Sequence, residues 1–417
     1  MNQVTSNTYS KTSRHMAIIV TILIFLPSFN FFLNNILLSS GFFSVGTVLY
    51  LFLLVVELYG LNKAFRSHLV GKYSGSLSFF VATMSIVSYF LYMDELGSRF
   101  VRPDYHIYYS ELLFLFFFGL PAMLLSSACR CWDLVLNYST KVAPVIVVMT
   151  IYAWWRVGFS TWGDESINYM TLSYHVLPAG CFCISKAVKG LHPFYWFTSL
   201  IFLFIIFAAG CRGALVCSTL FLALIIIHQA TYSANAKTAR RWRLIGLLIL
   251  LALPLYFSQI FDAIGMSISK LGIMSRSMEM MTDNTFFQDG ARNTIQTAIW
   301  RGVEENPMGY GLYGDRYICS KYYQGGAEYA HNIFYEFIAD YGLLFGILLL
   351  LLIIVSIIKL YWKQKKSELS VMLLLLLPDG FIKLFFSNSY LMDTSFFILM
   401  GFLIVISTKK RYKNNIQ

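Results

Sequence analysis

The chain has 417 residues, of which 57% are hydrophobic and only 13% charged, whereas soluble domains carry about 25% charged residues. Its apolar residues come in long runs, not in the alternation of a half-buried sheet, which excludes a single water-soluble core and points to an all-α, polytopic integral membrane protein. The net charge of +11 fits the positive-inside bias of membrane proteins and not nucleic-acid binding, because the lysines sit in short loops between apolar runs.

The N-terminus is polar up to Met16 and apolar from Ala17 to about Leu38. That run is too long for a signal-peptide core and lacks a small-residue cleavage site, so it reads as a retained first transmembrane helix. With roughly 20 residues needed to span, the expected spans are 17–38, 42–62, 77–93, 110–128, 142–158, 171–187, 194–210, 213–231, 244–261, 331–358, 369–386 and 390–407. This makes about twelve helices.

Basic clusters orient them. They are Lys11 and Arg14; Lys63, Arg66 and Lys72; Arg130 and Lys141; Lys186 and Lys189; Lys237, Arg240, Arg241 and Arg243; Lys359, Lys363, Lys365 and Lys366; and Lys409, Lys410, Arg411 and Lys413. All fall on one side if the helices alternate. That side is the cytoplasm, with both termini in it. The domain organisation is then 1–261 as nine helices with short loops, 262–330 as one large external loop, and 331–417 as three further helices with a cytoplasmic C-terminus.

On the external side, arginines outnumber lysines: Arg99, Arg102, Arg156, Arg212, Arg276, Arg292, Arg301 and Arg316 against Lys270 and Lys321. A guanidinium fork suits phosphate or carboxylate; surface pairing with the acids gathered on the same side is the alternative. The seven cysteines form no CxxC pair and no zinc spacing, so neither a metal site nor a disulfide framework is expected. No P-loop, no GxGxxG opening a helix and no external D-x-D triplet is expected.

Four stretches could carry chemistry. In FAAGCRGALVC (207–217), Arg212 sits at the turn of a helical hairpin among Ala208, Ala209, Gly210, Gly213 and Ala214. Small residues there let a ligand or another backbone approach, while a snorkelling arginine is the simpler reading. In the large loop, GARNTIQTAIWRGV (290–303) reads as a helix with Ile295, Ile299 and Val303 on one face. Arg292 lies near its start, where the dipole favours an anion, and Arg301 lies nine residues on; both could equally be solvated helix charges. Pro307, Gly309, Gly311 and Gly314 then break any helix. In YAHNIFYEFIADYG (329–342), His331 stands at the external mouth of a span, and Asn332, Glu336 and Asp340 follow on one helix face. Ionisable groups in such a place face a wet cavity or another helix, and a histidine there is suited to act as a general base. Helix capping is the alternative for His331, and a contact between helices for the two acids. In LLPDGFIKLFFSNSYLMD (376–393), Asp379 and Lys383 are spaced to neutralise one another, and SNSY reads as a short structural turn.

The order of these pieces resembles the O-antigen polymerase/O-antigen ligase superfamily of bacterial envelope glycosyltransferases. The resemblance lies in the hairpin arginine, the GAR…W…NPMGYG loop and the HN…E…YG helix start, over residues 207–346, with the helix layout extending it along the chain. It implies a GT-C-like membrane fold and metal-independent, inverting glycosyl transfer, without a cofactor, on the periplasmic face of the inner membrane. The implied donor is a glycan on undecaprenyl diphosphate. Arg212 and Arg292 correspond to diphosphate-binding arginines and His331 to the catalytic histidine; Arg301, Asn332 and Glu336 are further substrate-binding candidates. The implied partners are the lipid-linked glycan, membrane lipid and a chain-length regulator, with no nucleic acid. NPMGYGLYGDRY and SNSYLMDTSFFILMG look more like a polymerase of O-antigen, capsule or exopolysaccharide units than a ligase acting on lipid A–core. A lipid-linked oligosaccharide flippase is the competing class, and an envelope assembly partner is a third.

Overall fold

A computed structural model describes residues 10–37, 45–92, 94, 111–157, 169–190, 192–233, 235–248, 270, 290–323 and 329–408. Regular structure among them is entirely helical. In chain order the helices are α1 (Lys11–Leu37), α2 (Val45–Arg66), α3 (Lys72–Leu91), α4 (Glu111–Ala128, with a π-turn at Leu115–Gly119), α5 (Trp132–Val157), α6 (Tyr169–Gly190), α7 (Pro193–Ala209) and α8 (Arg212–Tyr232). After them come α9 (Gly290–Glu305), α10 (Gly314–Tyr322), α11 (Ile333–Tyr341), α12 (Leu343–Gln364), α13 (Glu368–Gly380) and α14 (Thr394–Thr408). Residues 236–248 are also helical. Two short 3-10 turns, Ile382–Phe385 and Tyr390–Met392, separate the last two helices.

Among the described residues, six stretches are long and apolar enough to cross a membrane: Lys11–Phe29, α3, α4, Trp132–Trp155, α8 and α12. Helices α7 and α14 are apolar but shorter. The expected span at 244–261 lies largely outside the described residues, as do 262–269, 271–289 and most of the loops 94–109 and 159–170. The bundle is an all-helical membrane protein. Helix α6 packs against α5, α7, α8 and α13, and α14 lies along α4. Trp132 at the start of α5 meets Phe402 of α14 edge-on, with ring centroids 4.7 Å apart. Such aromatic contacts contribute about 1 kcal/mol beyond the area they bury.

One difference from the sequence expectation matters for function. The span expected as one helix over 331–358 is two, α11 and α12, broken at Gly342. Gly342 has φ +82°, a conformation that costs a residue with a Cβ. A Cβ there would also stand 2.5 Å from Met308 C and 2.6 Å from Pro307 O. The NPMGYG turn therefore crosses directly over the break. In agreement with the expected helix at 290–303, residues 290–323 are folded. Ile295, Ile299 and Val303 are all buried, as their spacing predicts, and pack with Ile318, Cys319, Ala330, Ile338 and Ala339 of α10 and α11.

Candidate active site

Helix α11 has nine residues, too short to be stable alone, and leaves most of its end groups without intrahelical partners. The chain around it supplies those partners. At the N-terminus, Asn332 is extended and its Oδ1 accepts the Phe334 N–H at 2.9 Å, an N-cap of the usual kind. At the C-terminus, the Tyr310 and Gly311 N–H groups donate to Ala339 O and Asp340 O, each at 2.8 Å. Beyond the break, Leu343 N–H donates to Pro307 O at 2.9 Å. The NPMGYG turn is thus the C-terminal cap of α11.

Beneath α11 lies a buried ionic centre. Arg316 of α10 is 1% exposed. Its Nε donates to Glu111 Oε2 at 2.9 Å, its Nη1 to Asp315 Oδ1 and Glu336 Oε1 at 2.6 Å each, and its Nη2 to Ser389 Oγ at 2.5 Å. Glu336 also accepts from the Ser389 hydroxyl and, at 3.2 Å, from Tyr390 N–H. Asp340 accepts from Gly314 N–H at 2.9 Å and from the Tyr390 hydroxyl at 2.7 Å. A buried charge network of this kind is tolerable only because nearly every lone pair and proton in it has a partner. A second buried group lies beside it. Lys383 Nζ is 2.6 Å from both Asp379 Oδ1 and Asp393 Oδ2. The i, i+4 pairing of Asp379 and Lys383 is as expected; Asp393 is the unforeseen third member.

His331 sits on the edge of this centre, half-buried, with φ +54°. Left-handed backbone at a non-glycine residue is strained and clusters at functional sites. The strain is held from both sides. Ala330 N–H donates to Asp315 Oδ2 at 2.8 Å, and Asn332 Nδ2 donates to Phe385 O at 3.1 Å. The ring of Tyr329 lies tilted against the imidazole, with centroids 3.9 Å apart and planes 39° apart. Burial, the largest influence, pushes the Tyr329 phenol up to about 12, so it stays protonated at neutral pH.

Arg212 opens α8, directly after the Gly210–Cys211 reversal, and is half-buried. The turn that holds Asn332 also reaches this hairpin: a Cβ at Gly213 would run into the Tyr174 hydroxyl and stand 3.0 Å from Phe386 Cβ. Arg292, in the first turn of α9 and half-buried, lies within electrostatic reach of Tyr174 and Cys211. So Arg292 is brought to the hairpin of Arg212, and the neighbours of Arg212 and His331 converge on Phe385–Phe386. Arg301 is placed differently. Its side chain is 68% exposed, pairs loosely with Glu305 at 3.9 Å and lies 4.9 Å from the Tyr322 ring centre. Glu336 is wholly buried and its carboxylate is occupied by Arg316, Ser389 and Tyr390. The partners that spacing alone leaves open for Glu336 and Asp340 are therefore protein groups. Asn332 both caps α11 and ties it to Phe385.

Several residues of this centre have no local signature. Arg316 is one of eight arginines that charge patterning assigns to the external side, and its partners come from α4, α10, α11 and the 3-10 turn. Glu111, at the start of an apolar span, is the one sign available in the sequence, since a carboxylate there needs a partner. Ser389 and Tyr390 lie in what reads as a plain turn. Among the described residues, no group of three or more His, Cys, Asp or Glu side chains is arranged to hold a metal ion.

A helical membrane protein with a strained histidine and two arginines gathered around one turn is what the geometry defines. The profile of the O-antigen ligase family matches residues 197–351, from within α7 into α12. That segment contains Arg212, Arg292, Arg301, Arg316, His331, Asn332 and Glu336, and the match is consistent with the O-antigen polymerase/ligase superfamily. The match supports membrane glycosyl transfer of the ligase/polymerase type and does not separate the two. No curated protein matches the chain.

Proposed function

We propose that the protein joins undecaprenyl-diphosphate-linked oligosaccharide repeat units into O-antigen, capsule or exopolysaccharide, on the periplasmic face of the bacterial inner membrane. The observation that carries this reading is the convergence of the His331 and Arg212 neighbourhoods on Phe385–Phe386, with Arg292 in electrostatic reach of the same hairpin.

In this reading His331 takes the proton from an acceptor sugar hydroxyl. The hydroxyl oxygen attacks the anomeric carbon of the donor glycan from the face opposite the diphosphate, inverting it. The bond from anomeric carbon to diphosphate oxygen breaks, and the lipid diphosphate leaves with the electron pair. Arg212 and Arg292 stabilise the charge that builds on it. The 3-10 turn keeps the two halves of the site in register, since placement errors of about 1 Å cost on the order of 100-fold in rate. Membrane lipid and a chain-length regulator are the further partners of this proposal.

A second reading, which takes up the activity named for the matching family, is an O-antigen ligase that moves the glycan to lipid A–core. It uses the same residues with a different acceptor. A deletion strain separates them. Loss of a polymerase leaves core bearing one repeat unit; loss of a ligase leaves bare core and unused lipid-linked polymer. Build-up of lipid-linked units on the cytoplasmic face would point to a flippase instead. Complementation with His331→Ala and Arg212→Ala tests the site: full-length glycan ladders from both, at normal expression, would overturn it.

A further inference from the structure

The residues on either side of His331 are each held by a different part of the structure. Ala330 is tied to Asp315 and Asn332 to Phe385, which fixes the backbone of His331. These ties act on the backbone and not on the imidazole itself. Tyr329 is in direct contact with that side chain. Its ring lies 3.9 Å from the imidazole, centre to centre. Its hydroxyl lies against the Ser387 side chain and the Asn388 backbone, and the Arg316 guanidinium stands 5.7 Å from its ring centre. The aromatic plane thus lies between the residues that link the two 3-10 turns and the arginine that anchors α11.

Resting on the reading of His331 as the base, we propose that Tyr329 is a positioning residue, whose ring sets the plane of the His331 imidazole toward the acceptor hydroxyl. It exchanges no proton and touches no reacting atom. The ring is the working part, and the hydroxyl only anchors it. A phenylalanine therefore serves nearly as well, and an aliphatic residue does not.

The test uses the full-length protein in lipid nanodiscs, with the lipid-diphosphate-linked units that accumulate in the deletion strain as substrate. Tyr329→Leu is expected to lower kcat about tenfold or more with KM little changed, as for an interaction that matters in the transition state. Tyr329→Phe is expected to retain most of the wild-type kcat. A wild-type kcat for Tyr329→Leu, or equal losses for Leu and Phe, would overturn the proposal. His331→Ala, run beside them, keeps the two claims apart. If it is inactive while Tyr329→Leu is normal, only the positioning role falls; if it is active, the base assignment falls with it. A readout on the wild type avoids dependence on a variant that fails to fold. In protein with 13C-labelled histidine, the His331 Hε1 resonance, identified by its loss in His331→Ala, is expected upfield of the other six histidines through the Tyr329 ring current. A position among them would remove the ring contact on which the proposal stands.

Discussion

Arg316 Nη1 lies 2.6 Å from Glu336 Oε1, and neither side chain has more than 1% of its surface exposed. That pair accounts for an acid in the first third of an apolar stretch. Glu336 does not face lipid. It closes a network that draws α4, α10, α11 and the turn before α14 onto one guanidinium. The short α11 that bears Glu336 and Asp340 is the helix that Asn332 caps and His331 precedes, so the same network holds the candidate base in place.

Removing Arg316 leaves Glu111, Asp315 and Glu336 buried together without a cation. Arg316→Met is expected to destabilise by about 3–5 kcal/mol, the cost of breaking a buried ion pair from one side. Arg316→Lys should recover little, because a lysine cannot fork to partners on three sides. Thermal unfolding in detergent reads both; a melting temperature unchanged in either variant would contradict the network.

The break at Gly342 gives a second expectation. Gly342→Ala places a methyl group against Met308 and Pro307 at positive φ. It should cost about 1–3 kcal/mol and shorten or abolish the glycan ladder, because the NPMGYG cap of α11 is displaced. Gly75→Ala in α3, where a Cβ meets nothing within 4 Å, is the control. It should be neutral or stabilise by about 0.5–1 kcal/mol. Equal effects from the two substitutions would refute the role given to the turn.

Glu57 of α2 is fully buried, and among the described residues neither carboxylate oxygen has a hydrogen-bond partner. Burying an unpaired polar group costs about 1–3 kcal/mol. Glu57→Leu is therefore expected to raise the melting temperature while leaving the ladder intact. A lower melting temperature, or loss of the ladder with the protein still folded, would show that the carboxyl has a use.

Arg301 tests the reach of the site. Its described partners are Glu305 and the half-buried ring of Tyr322, a surface cluster of small energetic weight. Arg301→Ala should change chain growth by no more than a few-fold, whereas Arg292→Ala should abolish it. Collapse of the ladder in Arg301→Ala would give that residue the substrate contact its place in the sequence suggests.

Local periodicity made part of this legible. Ile295, Ile299 and Val303 repeat every four residues, and that spacing alone puts them on one buried face. Asp379 and Lys383 pair for the same reason. The HN…E pattern marks α11 because capping and helix-face rules act within a few residues. What was not legible is long-range. Arg316 gathers Glu111, Glu336 and Ser389 from segments far apart in the chain, and no spacing encodes such pairing. The break at Gly342 is hidden by the apolar run that follows it, since an average over some twenty residues does not register one left-handed glycine. Tyr329 could not be separated from 26 other tyrosines until the ring was seen against His331.

The central claim is that His331 is the base in joining lipid-linked repeat units. Its most direct measurement is chain growth by the purified protein in nanodiscs, given only radiolabelled lipid-diphosphate-linked units and no lipid A–core. Wild-type protein should convert them into longer lipid-linked glycans, and His331→Ala, folded and inserted, should leave them as single units. Elongation by His331→Ala at the wild-type rate would contradict the account.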